Sequence, residues 1–167
     1  MIVGIKRAKL PHKETLANLL EKSQCELSQY DERPFDKNGL YGYENLDSYF
    51  NEETCSNYCA YLIFSAGQLA GFTLINKIPK CDMPCDWAIA EFYIAPPYRK
   101  KHVATRAMLE IFKHYTGVWQ IKYNCNNTAG ANFWNKVCYA GAKGKVATYS
   151  TRDFFNKSKG KVLLFET

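Results

Sequence analysis

A single acidic residue, Glu91, lies within an apolar segment that runs from Trp87 to Ile94. The segment has the character of a β-strand, and a period of two places Glu91 on one face with Trp87, Ile89 and Tyr93. Burial in such a strand disfavours the charged carboxylate and raises its pKa, which suits a general base at neutral pH. The alternative is a structural carboxylate that is bonded to a neighbouring lysine or to the backbone.

Basic residues follow this strand, where the chain enters a predicted helix. Arg99, Lys100 and Lys101 precede apolar residues at helical spacing, namely Val103, Ala107, Met108, Ile111, Phe112 and Tyr115. The free N–H groups and the dipole of a helix N-terminus favour an anion, and the basic side chains add positive charge. The spacing therefore predicts a phosphate site, with an exposed basic turn as the alternative.

Two short segments, from Tyr98 to Ala104 and from Asn127 to Trp134, resemble motifs of the GNAT superfamily of N-acetyltransferases. The loop from Tyr98 to Ala104 looks like the family's acetyl-CoA loop, Gln/Arg-x-x-Gly-x-Gly/Ala, with Arg99 and Ala104 at its first and last positions. Further along, Asn127 to Trp134 resembles the family pattern Asn-x-x-Ala-x-x-Phe-Tyr. The resemblance implies an acyltransferase that moves the acetyl group of acetyl-CoA to a primary amine by direct attack in a ternary complex.

The resemblance also implies site residues. The pyrophosphate of acetyl-CoA would rest on Arg99, Lys100, Lys101, His102, Val103, Ala104 and Thr105, and the pantetheine arm would run along Phe92, Tyr93 and Ile94. Asn127, Phe133 and Trp134 would line the other side of the arm. Glu91 falls where several members keep a general base, and a backbone N–H of the same strand would polarise the acetyl carbonyl.

Two residues depart from the family pattern. His102 replaces the central glycine of the loop, so that either the loop is displaced or the imidazole contributes a hydrogen bond. Trp134 stands where many members have a tyrosine that protonates the departing thiolate, which an indole cannot do at neutral pH. Tyr139 or Tyr123 is then the candidate general acid, with solvent as the alternative. Both departures suggest a competing interpretation, a catalytically silent module that binds or senses acyl-CoA.

The hydrophobic pattern predicts the elements that position these residues. Strands are expected near Val3 to Ile5, Tyr58 to Phe64, Leu69 to Lys77, Trp87 to Ile94, Val118 to Tyr123, Val146 to Ser150 and Lys161 to Phe165. Helices are expected from Pro11 to Gln29, from Glu44 to Phe50, after the basic loop, and around Gly130 to Cys138. This order predicts an α/β fold in one domain over residues 1–167, a GNAT-like mixed and mostly antiparallel sheet of about six or seven strands flanked by about four helices.

Charge is unevenly distributed along the chain. Residues 26–53, the acidic stretch, contain eight acidic and two basic residues, whereas the whole chain carries a formal net charge of +6. We expect the acidic stretch to form a wall of the acceptor site and to select a cationic acceptor. The alternative is that the stretch is a solvated flap. The basic remainder suggests a nucleic-acid-binding module as a third, less favoured interpretation.

The composition predicts a cytoplasmic protein with no membrane partner. No apolar run is long enough to span a bilayer, and charges interrupt the N-terminal residues where a signal peptide is apolar. Seven cysteines, an odd number, indicate reduced thiols. Cys55/Cys59 and Cys81/Cys85 are spaced so that they could bind a metal, but no histidine lies near them, and no metal is predicted. The sequence leaves a homodimer open.

Overall fold

The computed structural model describes residues 2–152 and 156–167. In this part of the chain the strands are β1 (Val3–Arg7), β2 (Tyr58–Ser65), β3 (Gln68–Asn76), β4 (Trp87–Ile94), β5 (Val118–Asn124), β6 (Ala147–Thr151) and β7 (Gly160–Glu166). The α-helices are α1 (Lys13–Asp31), α2 (Val103–His114) and α3 (Thr128–Gly141). Short 3-10 helices cover Leu10–His12, Leu46–Tyr49 and Pro96–Tyr98. None of the described helices is long and apolar enough to cross a bilayer.

All seven strands form one sheet in the order β1-β2-β3-β4-β5-β7-β6. Neighbouring strands are antiparallel except for β4 and β5, which are parallel. The predicted mixed, mostly antiparallel sheet is confirmed.

The sheet opens between its two parallel strands. Backbone pairing of β4 with β5 is confined to Trp87–Ile89 and Trp119–Ile121. Beyond these residues β4 continues to Ile94 and β5 to Asn124 without pairing to each other. The edges of two strands are therefore exposed to a gap in the middle of the sheet.

Helices cover the two faces of the sheet. Helix α1 presents Leu16, Leu19 and Leu20 at helical spacing and buries them against one face, with Leu62, Phe72 and Leu74. Helices α2 and α3 cover the other face with Met108, Ile111, Phe112, Trp134, Val137 and Cys138. The gap between β4 and β5 thus lies between two packed layers.

Strands β2 and β3, both predicted, form a hairpin with a two-residue turn at Ala66 and Gly67. Both residues have positive φ angles, 50° and 80°. This combination is typical of a type I′ turn, whose twist matches that of the flanking strands.

The helix predicted from Glu44 to Phe50 is instead a single 3-10 turn, so the described residues contain three α-helices rather than about four. Leu46 and Tyr49 are three residues apart, which aligns their side chains along a 3-10 turn. They are only 9% and 4% exposed and pack in the core under α1. This part of the acidic stretch is therefore anchored in the fold.

Candidate active site

The strand that carries Glu91 contains a β-bulge. Two consecutive residues of β3 pair with Glu91 and Ile89, so Ala90 has no partner in β3. The extra residue reverses the alternation of side chains beyond it. Tyr93 therefore packs with α1, as Glu91 does, whereas Trp87 and Ile89 pack with α2 and α3. The predicted common face is wrong for Trp87 and Ile89, because the bulge separates them from Glu91.

Glu91 lies at the wall of a cavity of about 500 Å³, which we call the Glu91 cavity. Its side chain keeps some solvent access through the cavity, although protein atoms surround the carboxyl. Burial raises the pKa of Glu91 from 4.5 to about 7, against the opposing attraction of Arg33 and Lys80. Near neutral pH both protonation states are populated, which is the property a general base needs.

Helix α1 places Gln24 beside this carboxyl. The Gln24 side chain favours the charged form of Glu91 and so lowers its pKa. Its amide nitrogen is buried, yet no described residue meets the full geometry of a hydrogen bond to it. A buried amide without a partner costs about 1–3 kcal/mol, so completing a bond to ionised Glu91 is favourable. Gln24 was not predicted as a site residue, although it continues the register of Leu16 and Leu20 as a polar residue in an apolar stripe.

Two tyrosines of the acidic stretch lie within electrostatic range of Glu91. Burial raises the pKa of Tyr43, and it raises the pKa of Tyr49 to about 12. The Glu91 charge contributes to both increases. Asn76 donates a hydrogen bond to the Tyr49 hydroxyl at 3.3 Å. Both phenols remain protonated at neutral pH, so they supply O–H groups and cannot replace Glu91 as a base.

A second cavity, of about 470 Å³, lies where β4 leads into α2, and we call it the α2 cavity. The predicted coenzyme residues that line it are Phe92, Tyr93, Ile94, Arg99, Lys100, His102, Val103, Ala104, Thr105, Asn127 and Phe133. Two others are placed elsewhere: Trp134 lines the Glu91 cavity, and Lys101 donates to the carbonyl of Pro97 at 2.7 Å. The structure thus brings together most of the predicted set.

The loop that precedes α2 has a backbone conformation that glycine adopts readily. Lys100 and His102 have φ angles of 57° and 60°, in the left-handed region. This conformation costs a residue other than glycine about 1–2 kcal/mol. His102 then caps α2, and the N–H groups of the first helical turn have no acceptor within the helix. Val103, Ala104 and Thr105 line the α2 cavity, where unpaired N–H groups of a helix N-terminus favour an anion.

The free edge of β4 supplies hydrogen-bonding groups to the gap. The N–H of Ala95 donates to Ala70 of β3, and the carbonyl of Tyr93 also points at β3. Because backbone groups alternate along a strand, those of Phe92 and Ile94 point away from β3 and into the gap. An extended ligand can therefore bind there as an added strand.

Arg99 connects the loop to α1. Its Nε donates to the carbonyl of Ile94 at 2.7 Å, and its Nη2 contacts the Glu26 carboxylate at 2.7 Å. The guanidinium also lies over the ring of Tyr93, 5.6 Å from the centroid. Arg99 is therefore oriented at the cavity wall, and Glu26 neutralises part of its charge.

Helix α3 contributes the opposite side of the gap. Asn127 caps the helix by accepting a hydrogen bond from the N–H of Gly130 at 2.8 Å. Phe133 stacks on Phe92 of β4, with ring centroids 5.3 Å apart, and Trp134 contacts the same ring at 5.1 Å. These aromatic side chains connect β4 to α3 across the gap.

The two cavities share part of their lining. The common residues are Leu27, Tyr30, Phe92, Asn127 and Gly130. Of the two candidate general acids, Tyr123 lines the Glu91 cavity, and its hydroxyl accepts from Asn135 at 3.0 Å. Tyr139 is 61% exposed and lines neither cavity. The structure brings Tyr123, and not Tyr139, to the site.

Much of the charge of the acidic stretch is balanced within the fold. Asp31 pairs with Arg33, Glu26 with Arg99 and Asp47 with Lys13. Asp36 accepts from the backbone of its own turn. Of the acidic residues in this stretch, Asp31 alone lines the Glu91 cavity.

The sequence matches the model of the acetyltransferase (GNAT) family over residues 19–138. The match covers the residues that line both cavities, both predicted motifs and more than half of the chain. The chain therefore belongs to the GNAT acetyltransferase family and is an acyltransferase, as the resemblance implied. This family uses acetyl-CoA. A search of curated proteins finds no match.

Solved structures with the same fold are known from several organisms. An acetyltransferase from Thermus thermophilus has a TM-score of 0.69 at 8% identity, with 100% of this chain and 98% of the other covered. The PaiA N-acetyltransferase from Thermoplasma acidophilum, solved with coenzyme A, has a TM-score of 0.61 at 16% identity and full coverage of both chains. The ribosomal-protein-S18-alanine N-acetyltransferase from Escherichia coli has a TM-score of 0.59 at 10% identity, with 99% and 94% covered. At these identities the similarity concerns the fold.

Proposed function

We propose that the chain transfers the acetyl group of acetyl-CoA to a primary amine by direct attack in a ternary complex. The observation that carries this proposal is the junction of two cavities at β4: Phe92 lines both, and its neighbour Glu91 lines one. A base beside the junction suits direct transfer, because holding two reactants together supplies much of the rate.

The residues of the α2 cavity fit acetyl-CoA. The N–H groups at the start of α2 would bind its pyrophosphate, and the free edge at Phe92 and Ile94 would hydrogen-bond its pantetheine arm. When bound, acetyl-CoA supplies an activated acyl group. An N–H of the same edge would polarise the acyl carbonyl. The coenzyme A complex of the Thermoplasma acidophilum protein supports this assignment.

Glu91 would accept the proton of the attacking amine, directly or through water. Its pKa of about 7 leaves a large fraction ionised at neutral pH. Tyr123 is the better candidate for the general acid, because its hydroxyl accepts a bond from Asn135 and keeps its own proton for donation. Trp134 has only a donor N–H that does not titrate near neutral pH.

The finer expectation of a cationic small-molecule acceptor has limited support. It depended on the acidic stretch, which contributes only the paired Asp31 to the Glu91 cavity. Glu91 itself supplies the remaining negative charge for an ammonium group. We therefore keep the amine in the proposal and treat a cationic body as a prediction.

A thiol-release assay with acetyl-CoA and a panel of amines tests the proposed function. We expect amine-dependent release of coenzyme A and formation of an acetylated amine, detected by mass spectrometry. The competing silent module predicts coenzyme binding by calorimetry with no turnover on any amine. Binding of neither acetyl-CoA nor coenzyme A would contradict both.

A further inference from the structure

The junction of the two cavities carries a phenol, that of Tyr30. The described residues that line both cavities are Leu27, Tyr30, Phe92, Asn127 and Gly130. Two of them have polar side chains, and Asn127 uses its side-chain oxygen to cap α3. An amine in the Glu91 cavity and an acyl group presented from the α2 cavity would meet at this junction. The reacting carbonyl would therefore lie beside the Tyr30 side chain.

The backbone of Tyr30 is held by three asparagine side chains. The last carbonyls of a helix have no N–H partner within the helix, and Tyr30 lies in the last turn of α1. Its carbonyl accepts from Asn124, Asn126 and Asn156 at 3.3, 3.5 and 3.2 Å. The N–H of Asn156 also donates to the carbonyl of Asp31 at 3.1 Å. Segments far apart in the chain thus fix the end of α1 at the cavity wall.

The Tyr30 side chain lies within electrostatic range of Arg99, which lines the α2 cavity. The hydrogen bond to Glu26 is the main cause of the raised pKa of Arg99, and Tyr30 adds to the increase. A neighbouring positive charge polarises an O–H group and makes it a stronger hydrogen-bond donor. Tyr30 therefore supplies a polarised O–H group on the side of the junction from which the acyl group is presented.

Two atoms of the thioester gain negative charge during the transfer, the carbonyl oxygen and the sulfur. As Glu91 takes the proton of the amine, the nitrogen bonds to the acyl carbon and charge develops on the oxygen. The C–S bond then breaks, its electron pair leaves with sulfur, and Tyr123 or solvent protonates the thiolate. A thiol has an ordinary pKa of about 8.5, so its thiolate leaves with little assistance. The oxygen has the greater need of a donor, which is worth about 10²–10³ in rate.

We propose that Tyr30 is a further catalytic residue, whose hydroxyl donates a hydrogen bond to the carbonyl oxygen of the acyl group at the junction of the two cavities. It acts together with the backbone N–H of β4 and keeps its own proton throughout the transfer. This inference rests on the proposed function and adds a side chain of α1 to its site.

Infrared difference spectra of bound acetyl-CoA test the hydrogen bond without turnover. Ordinary acetyl-CoA is compared with acetyl-CoA isotopically labelled at the carbonyl carbon, in the absence of an amine, so that the band of this carbonyl is isolated. A hydrogen bond lowers the stretching frequency of a carbonyl, so the band should lie at higher frequency in Tyr30→Phe than in the unmodified protein. Tyr149→Phe, at a tyrosine of β6 that lines neither cavity, is the matched control and should leave the band unmoved.

Kinetics and calorimetry connect this bond to catalysis. Tyr30→Phe should lower kcat by about 10²–10³-fold on an amine found with the thiol-release panel. Its affinity for coenzyme A, which has no acyl group, should be unchanged in calorimetry. Tyr149→Phe should change neither quantity. Circular dichroism and thermal melting verify that each variant is folded.

An unmoved carbonyl band in Tyr30→Phe would overturn the inference, even if kcat falls, because the hydroxyl would then act on another atom. A moved band with an unchanged kcat would overturn the catalytic role. Neither result affects the proposed function as long as amines are acetylated. If no amine is acetylated, the proposed function fails, and the band still decides whether Tyr30 binds the carbonyl. A protein that does not bind acetyl-CoA would overturn both.

Discussion

Replacing Glu91 with glutamine separates the chemistry of this residue from its structural role. The substitution keeps the shape of the side chain and removes the proton acceptor. If Glu91 is the general base, kcat should fall by about 10²–10⁴, whereas affinity for coenzyme A should persist. In the unmodified protein, kcat/KM should fall about tenfold per pH unit below the pKa of about 7.

The same substitution should increase stability above neutral pH. Burial raises the pKa of Glu91 from 4.5 to about 7, so the folded state binds this proton more tightly than the unfolded state. Its contribution to stability is complete below pH 4.5 and is lost as the pH rises through 7. The loss corresponds to about 3 kcal/mol. Glu91→Gln should therefore be more stable than the unmodified protein at pH 8 by up to that amount, and the advantage should shrink at pH 5.

Urea unfolding at pH 5 and pH 8 measures this change, together with steady-state kinetics at pH 8. Glu110→Gln is the matched control, because this carboxylate is about half exposed on α2 and, among the described residues, forms its ion pairs with Lys113 and His114 of the same helix. It should change neither kcat nor the pH dependence of stability. A Glu91→Gln protein that keeps most of its turnover, or gains the same stability at both pH values, would refute the assignment of Glu91 as a desolvated base.

Two further predictions concern the surroundings of the site, and a third concerns the turn between β2 and β3. Gln24→Met removes a group that favours ionised Glu91, so the acid limb of the profile of kcat/KM against pH should move to higher pH. If the limb does not move, Gln24 contributes to packing alone. Arg99→Ala should weaken coenzyme A binding by about 1.5–3 kcal/mol in calorimetry. Glu26→Gln should strengthen binding, because it releases the Arg99 guanidinium from its ion pair. Weaker binding in both variants would mean that the ion pair has a structural role. Ala66→Asn should raise the thermal midpoint, with a gain of up to about 1 kcal/mol, because asparagine adopts the left-handed turn conformation more readily; an unchanged or lower midpoint would contradict the type I′ assignment.

The order and type of the elements could be predicted because they follow from local patterns. Two apolar runs predicted β2 and β3, and helical spacing predicted α1, α2 and α3 close to their observed bounds. The phosphate site before α2 was predicted from its position between a strand and a helix, and the family resemblance implied the coenzyme. Each of these features is determined by a few residues that are neighbours in the sequence.

The features that were missed depend on contacts between distant segments. The bulge at Ala90 arises from the pairing of β4 with β3, and nothing in the apolar run marks where the register shifts. Gln24 and Glu91 meet only because α1 covers that part of the sheet. The acidic stretch was interpreted from its summed charge, but its ion pairs with Lys13 and Arg99 join segments far apart in the chain. The sequence alone therefore predicted the residues of the candidate site better than it predicted the contacts between their side chains.

The bulge at Ala90 divides β4 into two parts whose side chains pack on different helices. Before it, Trp87 and Ile89 are committed to the core beneath α2 and α3; after it, Glu91 and Tyr93 face α1. The packing beneath α2 and α3 therefore depends on one register of β4, and the contacts with α1 depend on the other. Deleting Ala90 would merge the two registers and move Glu91 to the opposite face of β4, so the position of the candidate base depends on a residue whose side chain is only a methyl group.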